Sequence, residues 1–155
     1  MKSGEIYVNA SMFIGEYNHS VDAKNRLALP SKFRKDLGKT VVVTRGLDKC
    51  LFVYPMKAWK ELAQKLGTMP IGEADTRSFV RLMLAGATDV SGDAQGRVLI
   101  PDYLKDYANI KKDVVVAGLF NRLEIWDEKK WNVYKTDAEK NTDEIAENLG
   151  KLGVY

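Results

Sequence analysis

The sequence has almost no cysteine or histidine, one of each. Its single cysteine, Cys50, cannot close an internal disulfide, which suits a reducing cytoplasm, and it reads as a buried structural thiol. Its single histidine, His19, excludes a histidine-based metal cluster or relay within one chain and reads as bordering a strand. No apolar run approaches the roughly 20 residues needed to span a bilayer. The opening "MKSGEIYVNAS" has a lysine but no continuous apolar h-region, so it is not read as a signal peptide. A glycine-rich phosphate cradle is missing too, because "GDAQG" lacks the required lysine and helix start. Carboxylates abound, but no pair stands in a context that would separate an acid from a base. The expectation is a non-enzyme with no catalytic residue, metal, cofactor, small-molecule substrate or membrane segment.

What is present is enough to fold. The chain has 155 residues, 45% apolar and 29% charged, the balance of one soluble domain or two very small ones. A large multi-domain enzyme is excluded.

The dominant pattern is a duplication. "DAKNRLALP" begins at Asp22 and "DAQGRVLIP" at Asp93, 71 residues later, so that Asp22, Ala23, Arg26 and Pro30 recur as Asp93, Ala94, Arg97 and Pro101. Leu27 matches Val98, Leu29 matches Ile100, and Phe33 matches Leu104. Downstream, "TVVVTRGLDKCLFVYPMKAW" aligns with "DVVVAGLFNRLEIWDEKKW", bringing Trp59 onto Trp131. A unit of about 45 residues is too small to bury its own apolar face and must pack on its duplicate.

Each copy predicts a short strand after the motif, then a short helix with proline in its first turn ("PSKFRKDL", "PDYLKDYA"), then two β-branched, aromatic-rich strands. These strands are Val41 to Thr44 with Leu51 to Tyr54, and Val114 to Ala117 with Leu123 to Trp126. Pro55 opens a helix with Trp59, Leu62, Ala63 and Leu66 on one face and Gly67 as its stop. Asp75 or Thr76 is expected to cap a further helix carrying Phe79, Leu82 and Met83 inward, either as core or as a face between protomers. Trp59, Trp126 and Trp131 read as packing residues. The boundaries expected are a disordered leader at residues 1–11, repeats at 16–60 and 87–131, a helical linker at 61–86, and a polar helical tail with a frayed end at 132–155.

Charge separates the two copies. Residues 18–60 hold ten Lys/Arg and three Asp, a net of +7, whereas residues 89–131 hold seven Lys/Arg and eight Asp/Glu, a net of −1. The whole chain is only +3, so the first copy alone offers what a phosphate backbone attracts.

Residues shared by the two motifs have a structural reading: Asp22 and Asp93 accept backbone N–H groups of the following turn, and Arg26 or Arg97 pairs with a carboxylate. Asn25 and Gly96 occupy the same turn position, and both residue types tolerate a left-handed conformation. The differing residues speak to chemistry. Lys24, Asn25 and Arg26 at the tip of a thin two-stranded projection combine a phosphate-seeking ammonium, an amide able to read adenine and a guanidinium able to read guanine in a major groove. One such tip neutralises few phosphates, so several must act together, where linkage raises avidity by roughly 10² to 10⁴.

With the tandem motif established, the chain resembles the MraZ family of bacterial transcriptional regulators. The resemblance is carried by "MFIGEYNHSVDAKNRLALP", by "DAQGRVLIP" and by the spacing between them, and covers Met12 to about Trp131. It implies an α+β fold, a tandem duplicated swapped-hairpin barrel (SpoVT/AbrB-like, double-split β-α-β) with flanking helices. It implies a homo-oligomeric ring in the cytoplasm, associated with the nucleoid. The partner implied is double-stranded promoter DNA with repeated short sites, bound mainly as a repressor of the protein's own division and cell-wall operon. The DNA-contacting arginine maps onto Arg26, with Lys24 and Asn25 beside it; apart from the resemblance, Arg97 at the matching place of the second motif is expected as a weaker phosphate contact. The chain departs from the family at Asn25, where glycine is common, so Asn25 is conformational, base-reading or both. The competing expectation is a protein-binding, antitoxin-like module of the same fold, with the tail or linker helix as its interface.

Overall fold

The computed structural model describes residues 12–154. The leader read at residues 1–11 lies outside the described residues. In chain order the elements are β1 (Phe13–Ser20), β2 (Arg26–Ala28), α1 (Ser31–Leu37), β3 (Thr40–Arg45), β4 (Leu51–Pro55), α2 (Met56–Gly67) and α3 (Ala74–Ala85). There follow β5 (Thr88–Ser91), β6 (Arg97–Leu99), α4 (Asp102–Tyr107), β7 (Asp113–Phe120), β8 (Leu123–Asp127), α5 (Glu128–Lys140) and α6 (Thr142–Lys151).

The class is α+β, and every strand pairing is antiparallel. Six strands form one sheet in the order β1-β7-β8-β4-β3-β5, and β2 and β6 form a separate ribbon. Exchanging the repeats maps this order onto itself reversed. The opening strand of each repeat pairs with the third strand of the other: β1 with β7 through His19↔Val114, and β5 with β3 through Val90↔Val41. The two remaining pairings cross the pseudo-two-fold axis. β4 meets β8 through Leu51↔Ile125 and Val53↔Leu123, and β2 meets β6 through Arg26↔Leu99, Leu27↔Val98 and Ala28↔Arg97.

This exchange explains the burial. Inward residues of the central strands, Val41, Val43, Leu51, Val53, Val114, Val116, Leu123 and Ile125, meet Leu27, Leu29, Phe33, Val98, Ile100 and Leu104 from the ribbon and the short helices. The core therefore belongs to both copies equally. On the sheet's other face, Cys50, Phe52, Tyr54 and Trp126 are buried with Leu66 of α2 and Met83 of α3, and Trp59 and Trp131 pack against them. Burial drives the Cys50 thiol far above its usual range, which keeps it protonated and inert.

Several local expectations need correcting. Pro30, Pro55 and Pro101 precede their helices with extended ψ of 131°, 151° and 151°, standing one residue before the first turn. Gly67 is the last residue of α2, whose cap is Thr68. Helix α3 starts at Ala74 after Glu73 with no side-chain cap, and Asp75 lies inside its first turn, where its charge suits the helix N-terminus. Leu82 is 49% exposed, because the packed stripe of α3 runs through Phe79, Val80, Met83 and Leu84. The tail is two helices that meet at Asn141, and the first begins at Glu128, within the expected second repeat. His19 lies inside β1 and does not border it.

Leu27 is fully buried at the axis, opposite Val98. Leu27→Ala is expected to cost about 2–5 kcal/mol through the cavity it leaves in a core shared by both repeats. A denaturation midpoint lowered in one cooperative transition would show this; two separated transitions would show repeats that fold independently.

Candidate nucleic-acid interface

The two motifs form turns of the same construction. In the first, one Asp22 oxygen accepts the backbone N–H groups of Lys24 and Arg26, both at 2.9 Å, and the other accepts Arg26 Nε at 2.8 Å. In the second, Asp93 accepts the N–H groups of Gln95 and Arg97 at 2.9 Å and Arg97 Nε at 2.8 Å. Backbone bonds repeat as well, with Asn25 N–H donating to Asp22 O at 3.0 Å and Gly96 N–H to Asp93 O at 2.9 Å. Asn25 and Gly96 take left-handed φ values of 62° and 75°, which amide-bearing and unsubstituted residues accept most readily. The N–H of Arg26 above all, then its guanidinium and the N–H of Lys24, hold the Asp22 carboxyl below the usual range. The corresponding groups of Arg97 and Gln95 do the same for Asp93.

Alternation along the ribbon aims the arginines. Leu27 and Val98 point into the core, so Arg26, Ala28, Arg97 and Leu99 form the opposite, solvent face. Arg26 and Arg97 are diagonal cross-strand neighbours, a relation that places residues roughly 7–8 Å apart. Asp22 touches both, its Oδ2 lying 2.8 Å from Arg26 Nε and 3.9 Å from Arg97 Nη1. The Nη atoms of Arg26 donate no hydrogen bond to a protein group among the described residues. Lys24 is exposed at the turn tip.

Strand exchange also places each turn against the other repeat's helix. Asn25 Nδ2 donates to Asp102 Oδ1 at 2.7 Å, and Asn25 Oδ1 accepts from Lys105 Nζ at 2.8 Å, both partners lying on α4. At the second turn Arg34 of α1 covers Gly96 and donates from Nε to Leu29 O at 3.0 Å. Sequence reasoning had not singled out Arg34, Asp102 or Lys105. A signal was available, since Arg34 and Lys105 are separated by the same 71 residues as the motifs and both are basic. The cross-over also redistributes charge. Basic α1, with Lys32, Arg34 and Lys35, sits at the second turn, and α4, with Asp102 and Asp106 around Lys105, at the first. The +7 against −1 of the linear copies is thus shared between the two turns.

Among the described residues no group of three His, Cys, Asp or Glu side chains could hold a metal ion. No helix there is long and apolar enough to cross a membrane.

Comparison with known proteins agrees with the duplication. The family model described as "MraZ protein, putative antitoxin-like" matches the chain twice, over residues 12–82 and 83–152. A protein of Clostridium tetani named "Transcriptional regulator MraZ" is 50% identical over 143 residues, covering 92% of this chain and 100% of its own length. Proteins of the same name from Acetivibrio thermocellus and Natranaerobius thermophilus are 48% and 49% identical, covering 92% and 89% of this chain and 100% and 96% of their own.

Because the carboxyls of Asp22 and Asp93 are held below their usual range, the order they lend the turns is present above the unfolded value of about 3.9 and is lost as pH falls through the lower folded value. NMR titration should give both a midpoint below that of a free aspartate, with the Arg26 and Arg97 amide signals moving in step. Midpoints at the free value would mean that the carboxylates do not hold the turns in solution.

Proposed function

The chain belongs to the MraZ family, and from that membership we propose that it is a sequence-specific DNA-binding transcriptional regulator. The observation that carries the reading is the first turn. Its exposed Lys24 and the outward guanidinium of Arg26, held at one nitrogen by Asp22, stand on the solvent face of the β2–β6 ribbon. The thin projection expected from the sequence is instead a ribbon whose other face, Leu27 and Val98, is buried in the core, and a two-stranded ribbon is an element a major groove admits. Lys24, Asn25 and Arg26 make up the contacting turn; Asp22, Asp93 and Gly96 keep the two turns in shape. Arg97, beside Arg26 on the same face, supplies a secondary phosphate contact.

The finer proposal follows the family. The repeats are swapped-hairpin units of the SpoVT/AbrB type closing a small barrel, a reading supported by the exchange of β1 and β5. Residues 16–60 and 87–131 are the units, 61–86 the linker and 132–155 the tail. Protomers assemble into a ring that presents several turns at once to repeated short sites in the promoter of the protein's own division and cell-wall operon. There it represses, in the cytoplasm at the nucleoid. The ring supplies the avidity that one turn lacks.

A protein-binding, antitoxin-like function is the second reading. It draws on the apolar side chains left uncovered on the tail helices, with Val133 of α5 exposed by 73% and Ile145 of α6 by 43%.

Electrophoretic shift on the DNA upstream of the protein's own reading frame separates the two. The DNA reading expects a shift that weakens steeply between 50 and 200 mM salt, in the manner of about one counterion released per phosphate contacted. Arg26→Ala should lose about 1–3 kcal/mol per turn engaged, with melting temperature and oligomer size unchanged. If Arg26→Ala unfolds or disassembles the protein, Arg26 is a structural staple; if it binds as tightly as the parent, the turn is not the contact.

A further inference from the structure

The first turn carries a polar side chain that the second lacks. Asn25 stands where the second repeat has Gly96, and both adopt a left-handed φ. Glycine adopts that conformation without strain, so the turn does not require an amide. The amide is nevertheless bonded at both ends, to Asp102 Oδ1 at 2.7 Å and from Lys105 Nζ at 2.8 Å. A carboxamide carries a donor and an acceptor side by side, and so can satisfy a carboxylate and an ammonium one helical turn apart at the same time. At the second turn the equivalent space is filled from the helix side, where a Cβ on Gly96 would lie 2.5 Å from Arg34 Nε. One gap is closed by the turn and the other by the helix.

We infer that Asn25 is a positioning residue, a clamp that locks the DNA-facing turn of the first repeat onto helix α4 of the second and sets the direction in which Lys24 and Arg26 are presented. Its use rests on the DNA-binding reading above, but the clamp itself belongs to the free protein. Reading adenine would take the same Nδ2 and Oδ1 atoms that Asp102 and Lys105 occupy. A turn ordered in advance also spares the complex the entropy of fixing it.

The test compares full-length Asn25→Gly, Asp102→Ser and the double variant; serine is what the first repeat has at the matching position, Ser31. In the free protein, Asn25→Gly should speed amide exchange about 3–10-fold at both Arg26 and the residues of α4, a modest effect because the two bonds it removes are exposed and half-buried, with the melting transition kept. On upstream DNA each single variant should weaken binding, Asn25→Gly by about 3–10-fold. The double should be no weaker than Asn25→Gly, because that substitution already removes the bond that Asp102→Ser breaks. An unrelated duplex should lose affinity in the same proportion, since the clamp orients cations and reads no base. Losses that multiply in the double variant, with discrimination between the two duplexes collapsing in Asn25→Gly, would make Asn25 a base reader and overturn the clamp. Unchanged exchange in α4 would overturn it as well. If the parent protein shifts no DNA at all, the functional reading fails, and the exchange measurement alone still decides the clamp.

Discussion

The structure depends on the fact that neither repeat can cover its own apolar face. Each sends its opening strand to the third strand of the other, and the two motif strands meet at Leu27 and Val98 on the axis between them. A sheet of six strands results whose inner face carries one core shared by both repeats, where two units of about 45 residues would each have remained marginal. The persistence of the motif in both copies follows from this. Asp22 and Asp93 shape the two turns through the same set of hydrogen bonds, most of them accepted from backbone N–H groups.

The exchange that forms the core also decides what surrounds each turn. Helix α4 of the second repeat closes on Asn25, and helix α1 of the first on Gly96, so each turn is a composite of both copies. A surface built this way cannot be assessed by summing charge along one copy. On the outer face of the sheet Phe52 lies opposite Glu124 at the axis, and Arg122 stacks 4.6 Å over the Phe52 ring while pairing with Glu124 at 2.9 Å. The backbone there keeps its two-fold pairing, while the paired side chains differ, one aromatic and one acidic.

Much of the local structure was legible. The β-branched runs at Val41 and Val114 became strands, the apolar spacing after Pro55 became α2, and Cys50 is buried. Some details were not. Asp75 does not cap α3 and Leu82 faces outward, because caps and the edge of an apolar stripe depend on packing and not on periodicity alone. The tail is two helices where the Asn141 and Thr142 side chains turn back onto the carbonyls of Asp137, Ala138 and Glu139. At the site, the turn residues could be found from the repeat, but the helical side chains beside them could not. Asn25 and Lys105 are 80 residues apart, and their hydrogen bond exists only because the strands are exchanged.

The amino-acid sequence by itself determined the duplication, the turn chemistry of the Asp–Arg motif, the class of the elements and the excess of cations in the first copy. These follow from residue type and spacing within a few positions. Only the tertiary structure decided which helix meets which turn, which face of the ribbon the arginines share, and that the Asn25 amide is spent on Asp102 and Lys105. The physical reason is that strand exchange brings together groups from opposite halves of the chain, and no local periodicity encodes a contact made across a pseudo-two-fold axis.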